Sequence, residues 1–258
     1  GGNDYVTVLS HDVTDGDSWL NLARVSAPDN EEGQVTFLMK DEQEVQYIVG
    51  HDSSKGYVYF VSTNGNPLER HIMKLNVDGS ESQTPECLTC DQPESCRYMS
   101  GSFSPNGADY YFLNCHGPDV PNYSLLKSDG AIVKTMENNS ELTANLNRKR
   151  LPTRQFINIT VGGYLSQAEI YWPPGHVEGS DSKYPLLVYS YAGPGFQRVN
   201  KLFPMGRSVS NWLKYMGSQH NVAVASIDGR GSMAAGDKKR FEVYRKLTTY
   251  EVHDQIGD

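Results

Sequence analysis

No apolar run in the 258-residue chain approaches 18 residues, so no membrane-spanning helix is expected within it. Cysteine is scarce, four in all, which excludes a fold built on a dense cystine framework. Basic residues are the minority: 23 Lys plus Arg against 31 Asp plus Glu give a formal net charge of -8. Nothing in that balance attracts a polyanion, and no nucleic-acid partner is expected. Nucleotide cradles, EF-hand loops and closely spaced histidine clusters are also missing, so no cofactor and no metal is implied. The opening residues carry neither a signal-peptide pattern nor a starting Met. The close, TTYEVHDQIGD (248–258), has a capping box from Thr248 to Glu251 and then only about two turns of helix, too little to stand alone. Both ends are expected to be truncations of a longer protein.

What is present is ordinary for a globular chain, with 38% hydrophobic and 21% charged residues. Sixteen Tyr and 24 Gly fit short strands and frequent turns. Up to about residue 150 the chain alternates apolar and polar residues in YVTVLS (5–10), WLNLARV (19–25), VQYIVG (45–50), YVYFVS (57–62), HIMKLNV (71–77), ADYYFLN (108–114) and NYSLLKS (122–128). The pieces between them, such as APDNEEG, STNGNP, SPNG and SDG, carry the Asn, Asp, Gly and Pro of turns. Two stretches, 57–79 and 108–130, each run strand, turn, strand and Asp-Gly, as propeller blades do. A propeller piece is favoured over a sandwich.

The rhythm changes after residue 150. QFINITV and LSQAEIYWPP lead to LLVYS (186–190), followed by a turn at Gly193, Pro194 and Gly195. Val209, Trp212, Leu213 and Met216 fall at helical spacing, which predicts a buried stripe containing Trp212, with Gly217 placed to stop the helix. VAVASI (222–227) is a continuous small-apolar run suited to a parallel strand covered on both faces. Strand, helix and strand with short joins open an α/β sheet.

Cys87, Cys90, Cys96 and Cys115 read as C-x2-C, x5, C, x18, C. Four thiols opening with C-x2-C suit zinc, although the second pair lacks the matching spacing. Two disulfides, Cys87 with Cys90 and Cys96 with Cys115, form a second reading, and reduced core thiols a third; four cysteines allow three pairings and spacing does not choose among them. Sequons at Asn122, Asn138 and Asn158 are candidate glycosylation sites and add weight to an oxidising, secretory setting.

KYPLLVYSYAGPGFQ (183–197), NVAVASIDGRGS (221–232) and TTYEVHDQIGD (248–258) resemble the start of the catalytic domain in the prolyl oligopeptidase superfamily, and more narrowly the dipeptidyl-peptidase IV family. CLTCDQPESC followed by FSPNGADYYFLNC is similar to that family's late propeller region. The resemblance spans nearly the whole chain. It implies the late blades of an eight-bladed β-propeller over residues 1–150 and the N-terminal portion of an α/β-hydrolase domain over 151–258. It also implies the disulfide pairing Cys87–Cys90 and Cys96–Cys115, release of Xaa-Pro or Xaa-Ala dipeptides from peptide N-termini, a homodimer, and a secreted or type II membrane ectodomain.

The resemblance carries residue roles too. Tyr191, in the YAGP block, would point its hydroxyl into an oxyanion hole and stabilise charge on the scissile carbonyl oxygen. Gln197 would line the cleft and touch substrate. Asp228 and Arg230 of Asp-Gly-Arg-Gly invite reading as a charge pair, but a loop that supports the site is the favoured role. Two departures alter the neighbourhood: Gly195 and Phe196 stand where family members carry Cys-Ser, and Met233 and Ala234 where they carry Gly-Tyr. His220 and His253 read as surface or packing residues.

The chain has no G-x-S-x-G, hence no nucleophile elbow, and its Ser-Asp-His triad is expected beyond Asp258. The acidic pair and arginine that hold a substrate amino terminus in the family are expected before residue 1. The chain alone is therefore expected to be inactive. The alternative is a non-catalytic relative acting as a binding or channel-associated protein. A β-rich binding module with no enzymatic history is disfavoured by VAVASIDGRG and its crossover helix, and a fold without a parallel βαβ unit would revive it.

Overall fold

The computed structural model describes residues 4–14, 16–26, 33–78, 83–105, 107–191, 193–204 and 208–256. The turns expected at APDNEEG and SPNG, both chain ends and the side chain of Val209 lie wholly or partly outside the described residues. The chain divides into two compact units, one of Gly1–Asn138 with Ala234–Lys238, the other of Asn139–Met233 with Lys239–Asp258.

The first unit is three antiparallel sheets. β1 (Tyr5–Thr14), β2 (Asp17–Ser26) and β3 (Gln34–Phe37) make a three-stranded sheet. β4 (Val45–Asp52), β5 (Tyr57–Ser62), β6 (His71–Asn76) and β7 (Glu86–Cys87) follow as a meander in chain order. β8 (Cys96–Phe103), β9 (Tyr110–Pro118), β10 (Asn122–Lys127) and β11 (Ile132–Glu137) repeat that pattern. Alternation decides which side chains face the core. In β9 Tyr111, Leu113 and Cys115 are buried while Tyr110 and Phe112 are exposed, the period of two that a strand imposes. β5 is buried at five of its six positions, as its unbroken apolar run demands.

Two cores result. Leu22, Leu38, Val45, Phe60 and Met73 belong to one, and Ile72, Met99, Tyr111, Leu113 and Leu126 to the other. Gly101 is required where β8 nears β6, because a Cβ there would stand 2.7 Å from both Ile72 Cδ1 and the Phe112 carbonyl oxygen. The cysteines are bonded Cys87–Cys90 and Cys96–Cys115. Cys96 and Cys115 are buried members of the second core. The returning segment 234–238 bonds within this unit: Ala234 N donates to Glu44 Oε2 (2.9 Å), Lys238 N to Asp17 Oδ1 (2.8 Å), and Ser10 Oγ to Asp237 Oδ2 (2.5 Å).

The second unit opens with α1 (Ser140–Asn147), a helix that buries none of its residues, where the sequence reading expects only strands and turns. β12 (Thr153–Val161) and β13 (Tyr164–Trp172) form a nine-pair hairpin. β14 (Leu186–Val188), α2 (Ser208–His220) and β15 (Ala223–Asp228) then make a strand–helix–strand unit, with Leu187 opposite Val224 in a parallel pair. The sheet order is β12-β13-β15-β14. Short α3 (Asp237–Phe241) and α4 (Tyr250–Ile256) follow. No described helix is long and apolar enough to cross a membrane.

The buried stripe of α2 keeps Leu213 and the half-buried Met216 of the expected one but not Trp212. Ser210, Leu213, Lys214 and Gly217 face inward, Leu213 packs with Tyr171 and Val224, and Trp212 is 49% exposed. The reason is the small residue at 217: a Cβ there would lie 3.0 Å from Pro152, so the helix sits close on this face and turns its largest side chain away. Gly217 does not stop the helix either. The helix runs to His220, and Asn221 ends it in the left-handed conformation (φ 56°).

Loop length ranks the disulfides. Closing 19 residues removes more denatured-chain entropy than closing three. Replacing Cys96 and Cys115 together by Ala should lower unfolding free energy by about 3 kcal/mol, and the same change at Cys87 and Cys90 by about 2. Urea unfolding followed by circular dichroism measures the difference.

Candidate functional site

Two loops leave the C-terminal ends of the parallel strands β14 and β15, the edge where open α/β sheets place their ligands. After β14, Tyr189 N still donates to Ala225 O at 2.8 Å, and the chain then runs through Tyr191, Gly193 and Phe196. After β15 comes Gly229–Ser232. Main-chain bonds join the loops, Gly195 N to Gly231 O (2.8 Å) and Met233 N to Phe196 O (3.3 Å).

Asp228 anchors this pair. Its buried carboxylate accepts from Arg198 N (2.9 Å) and Val199 N (2.8 Å). Burial pushes its pKa up to about 6, against the lowering pull of those amides. Beside it lies a buried lysine, Lys239, whose Nζ donates to Asp228 O at 3.0 Å and Leu165 O at 3.5 Å. Desolvation brings Lys239 down to about 8, opposed by the carboxylates of Asp228 and Asp254. The Lys239 carbonyl in turn accepts from Gly231 N (2.9 Å).

Arg230 pairs with Asp254 of α4 rather than with Asp228. Nη2 meets Asp254 Oδ1 at 2.6 Å, Nε lies 3.0 Å from the same oxygen, and the Arg230 amide donates to Oδ2 at 2.6 Å. Its guanidinium lies over the Tyr250 ring, 4.2 Å from the centroid. Gly229 permits this approach, since a Cβ there would fall 2.7 Å from Asp254 Cβ. Half of the capping box is present: the Glu251 carboxylate accepts from Thr248 N–H and starts α4.

Tyr191 stands half-exposed above these supports, edge-on to Phe196 with centroids 4.4 Å apart. Gly193 lies against its ring. Tyr191, Phe196, Gly229, Arg230 and Ser232 line one shallow depression. Gln197 is buried in the same loop, next to the residues that Asp228 holds. Further along, Arg154 bonds Glu169 Oε2 through Nε (2.7 Å) and Nη2 (2.5 Å) and donates to the carbonyls of Asn200 (2.6 Å) and Leu202 (2.9 Å).

Three of the sequence-singled residues, Tyr191, Asp228 and Arg230, thus line one depression, and Gln197 is buried in the loop beside it. Asp254, Lys239 and the Arg154–Glu169 pair were missed. Arg230 signalled that some carboxylate must answer it, whereas nothing in the pattern marks Lys239 as buried. Among the described residues one His/Cys/Asp/Glu group has metal-ligand proximity, His71 with Cys87 and Cys90, and it belongs to the first unit. Asn138 and Asn158 are exposed, and Asn122 is half-buried at the start of β10. His220 and His253 are exposed.

Four-stranded antiparallel meanders followed by a parallel strand–helix–strand unit with a tyrosine at its strand ends define a β-rich chain leading into an α/β sheet. The family profile described as "Dipeptidyl peptidase IV (DPP IV) N-terminal region" matches residues 2–122. Venom dipeptidyl peptidase 4 of Vespula vulgaris is 34% identical over 99% of this chain and 32% of its own length. Dipeptidyl peptidase 4 of Sus scrofa is 35% identical over 95% of this chain and 32% of its own. Prolyl endopeptidase FAP of Homo sapiens is 36% identical over 74% and 24% respectively. The crystal structure of Porphyromonas gingivalis dipeptidyl peptidase 4 shares the fold over 99% of this chain and 33% of that one, with a TM-score of 0.78 at 22% identity. The chain belongs to the dipeptidyl peptidase IV family. It spans about a third of the length of the curated relatives it matches.

Asp228 sets a pH dependence. Its folded pKa, about 6, lies above the unfolded 3.8, so between these values the native state holds the extra proton and stability falls as pH rises. Asp228→Asn removes that slope. Relative to wild type the variant should gain stability from about pH 4 to about pH 6, read by urea midpoints across the range.

Proposed function

We propose that this chain is part of a serine exopeptidase that releases Xaa-Pro and Xaa-Ala dipeptides from peptide N-termini. In this reading residues 1–150 are late blades of an eight-bladed β-propeller and residues 151–258 open the α/β-hydrolase domain. Two successive four-stranded meanders support the first assignment. The parallel β14–β15 pair connected through α2 supports the second. The nucleophile, acid and histidine come from elsewhere in the parent protein.

One observation carries the reading. Tyr191 is a half-exposed side chain at the C-terminal edge of a parallel strand, on a loop tied down by Asp228 and by the Gly195–Gly231 bond. When a serine attacks the scissile carbonyl, negative charge gathers on its oxygen. A phenol held in advance donates to that oxygen more strongly in the transition state than to the neutral carbonyl, which lowers the barrier. Gln197, buried in the same loop, lines the substrate cleft and touches substrate in this reading. Phe196 against the tyrosine ring narrows the leaving-group side.

The substrates are peptides with penultimate Pro or Ala, the parent acts as a homodimer, and the setting is extracellular, secreted or membrane-anchored. Two disulfides and three sequons support that setting, as does the Vespula vulgaris relative, which is named a venom protein.

The test uses the full-length protein and a glycyl-prolyl chromogenic dipeptide. Tyr191→Phe should lower kcat by roughly 10²–10³-fold with KM nearly unchanged. A wild-type parent without turnover moves the protein to the non-catalytic binding class, and an unaltered kcat in the variant removes Tyr191 from the mechanism.

A further inference from the structure

We propose that His71, Cys87 and Cys90 form a redox-gated zinc site, closed while the two cysteines are bonded to each other and opened by their reduction. The proposal is independent of the peptidase reading. The ligand atoms already lie within 4.8 Å of one another. Two thiolates and an imidazole are a donor set zinc takes, with metal–sulfur and metal–nitrogen bonds of about 2.3 and 2.0–2.1 Å.

Three features suit these side chains to a metal. First, the loop is held on β6 by hydrogen bonds as well as by the covalent S–S bond. Leu88 N donates to Ile72 O (2.9 Å), Ile72 N donates to Thr89 Oγ1 (3.0 Å), and Cys87 sits opposite Met73. The cysteines therefore stay in place when their bond is cut. Second, the buried imidazole of His71 is oriented by a carboxylate: Nε2 lies 2.8 Å from Glu69 Oε2, which leaves Nδ1 on the Thr89 side. Carboxylate–histidine pairs of this kind fix ring orientation and raise ligand basicity at zinc sites. Third, Cys90 Sγ accepts from Asn64 Nδ2 (3.2 Å) and the Arg97 guanidinium donates to the Cys90 carbonyl (2.7 Å). Both favour negative charge on that sulfur, the form a metal binds.

Accessibility makes the gate selective. Cys87 and Cys90 are half-buried and within reach of a reductant, whereas Cys96 and Cys115 are 4% and 0% exposed inside the second core. A dithiol reductant supplies two electrons and two protons, the Cys87–Cys90 bond breaks to two thiols, and the reductant closes to its own disulfide. Zinc then displaces both thiol protons as two metal–sulfur bonds form. Nδ1 of His71 exchanges its 3.4 Å contact with Thr89 Oγ1 for the third bond, and a water completes the tetrahedron.

The full-length protein, reduced with a dithiol under argon and desalted, would be titrated with Co2+ as a spectroscopic stand-in. The expected result is one equivalent bound with sulfur-to-cobalt charge-transfer absorption, released by zinc and absent from the oxidised protein. Native circular dichroism should persist, with Cys96–Cys115 intact by peptide mass. His71→Asn should weaken binding at least roughly tenfold, and Cys90→Ser should abolish the charge-transfer band. No band after reduction, equal affinity in His71→Asn, a band surviving in Cys90→Ser, or loss of native structure on reduction would each overturn the proposal.

Discussion

Two main-chain amides converge on one buried carboxylate, and the arrangement above the sheet edge follows from it. Arg198 and Val199 donate to the two oxygens of Asp228, which ties the loop leaving β14 to the last residue of β15. Lys239 bonds the carbonyl of the same residue from another direction. Without the carboxylate, two N–H groups would lose their partners in a place water barely reaches, each at a cost of about 1–3 kcal/mol. With it, the Gly195–Gly231 and Phe196–Met233 bonds close in register and the ring of Tyr191 has a defined base.

Charge is concentrated beneath this edge. Asp254 with Arg230 and Glu169 with Arg154 are both ion pairs whose acidic member is almost wholly buried. Taking such groups out of water costs several kcal/mol per ion, so net stability does not explain them. Their common feature is that each arginine also bonds a chosen piece of backbone or receives a carboxylate that does. Arg154 fixes the carbonyls of Asn200 and Leu202, and Asp254 fixes the amide of Arg230. The pairs act as rivets that give irregular chain a single conformation. A site needing a donor within a few tenths of an ångström of a developing charge depends on such rigidity.

Much of this was legible in the sequence, and the failures have physical reasons. Alternation located β9, which buries every second side chain, unbroken or near-unbroken apolar runs located β5 and β6, and the apolar run at 222–227 located β15. Trp212 was misplaced because helical periodicity fixes only the spacing of a stripe. Which of two adjacent stripes turns inward depends on close approach, decided here by Gly217 against Pro152. α1 escaped notice because it buries nothing and so has no apolar stripe to read. At the site, Tyr191, Asp228 and Arg230 were visible through their motif. Lys239 was not, since a buried lysine is recognisable only once the carbonyls and carboxylates that hold it are assembled from separate elements.

The segment 234–238 has a consequence for synthesis. Glu44 is buried in the first unit and accepts the amide of Ala234, a residue 190 positions later. Asp17 waits still longer for the amide of Lys238, 221 positions on. As the polypeptide emerges from the ribosome, the three sheets can pair while part of their unit is still untranslated, and domains ordinarily close in order from the N-terminus. Here the earlier unit cannot finish until the strand–helix–strand of the later one has been made. Completion of the two is coupled by the path of the chain, and no single cut would separate them as intact pieces.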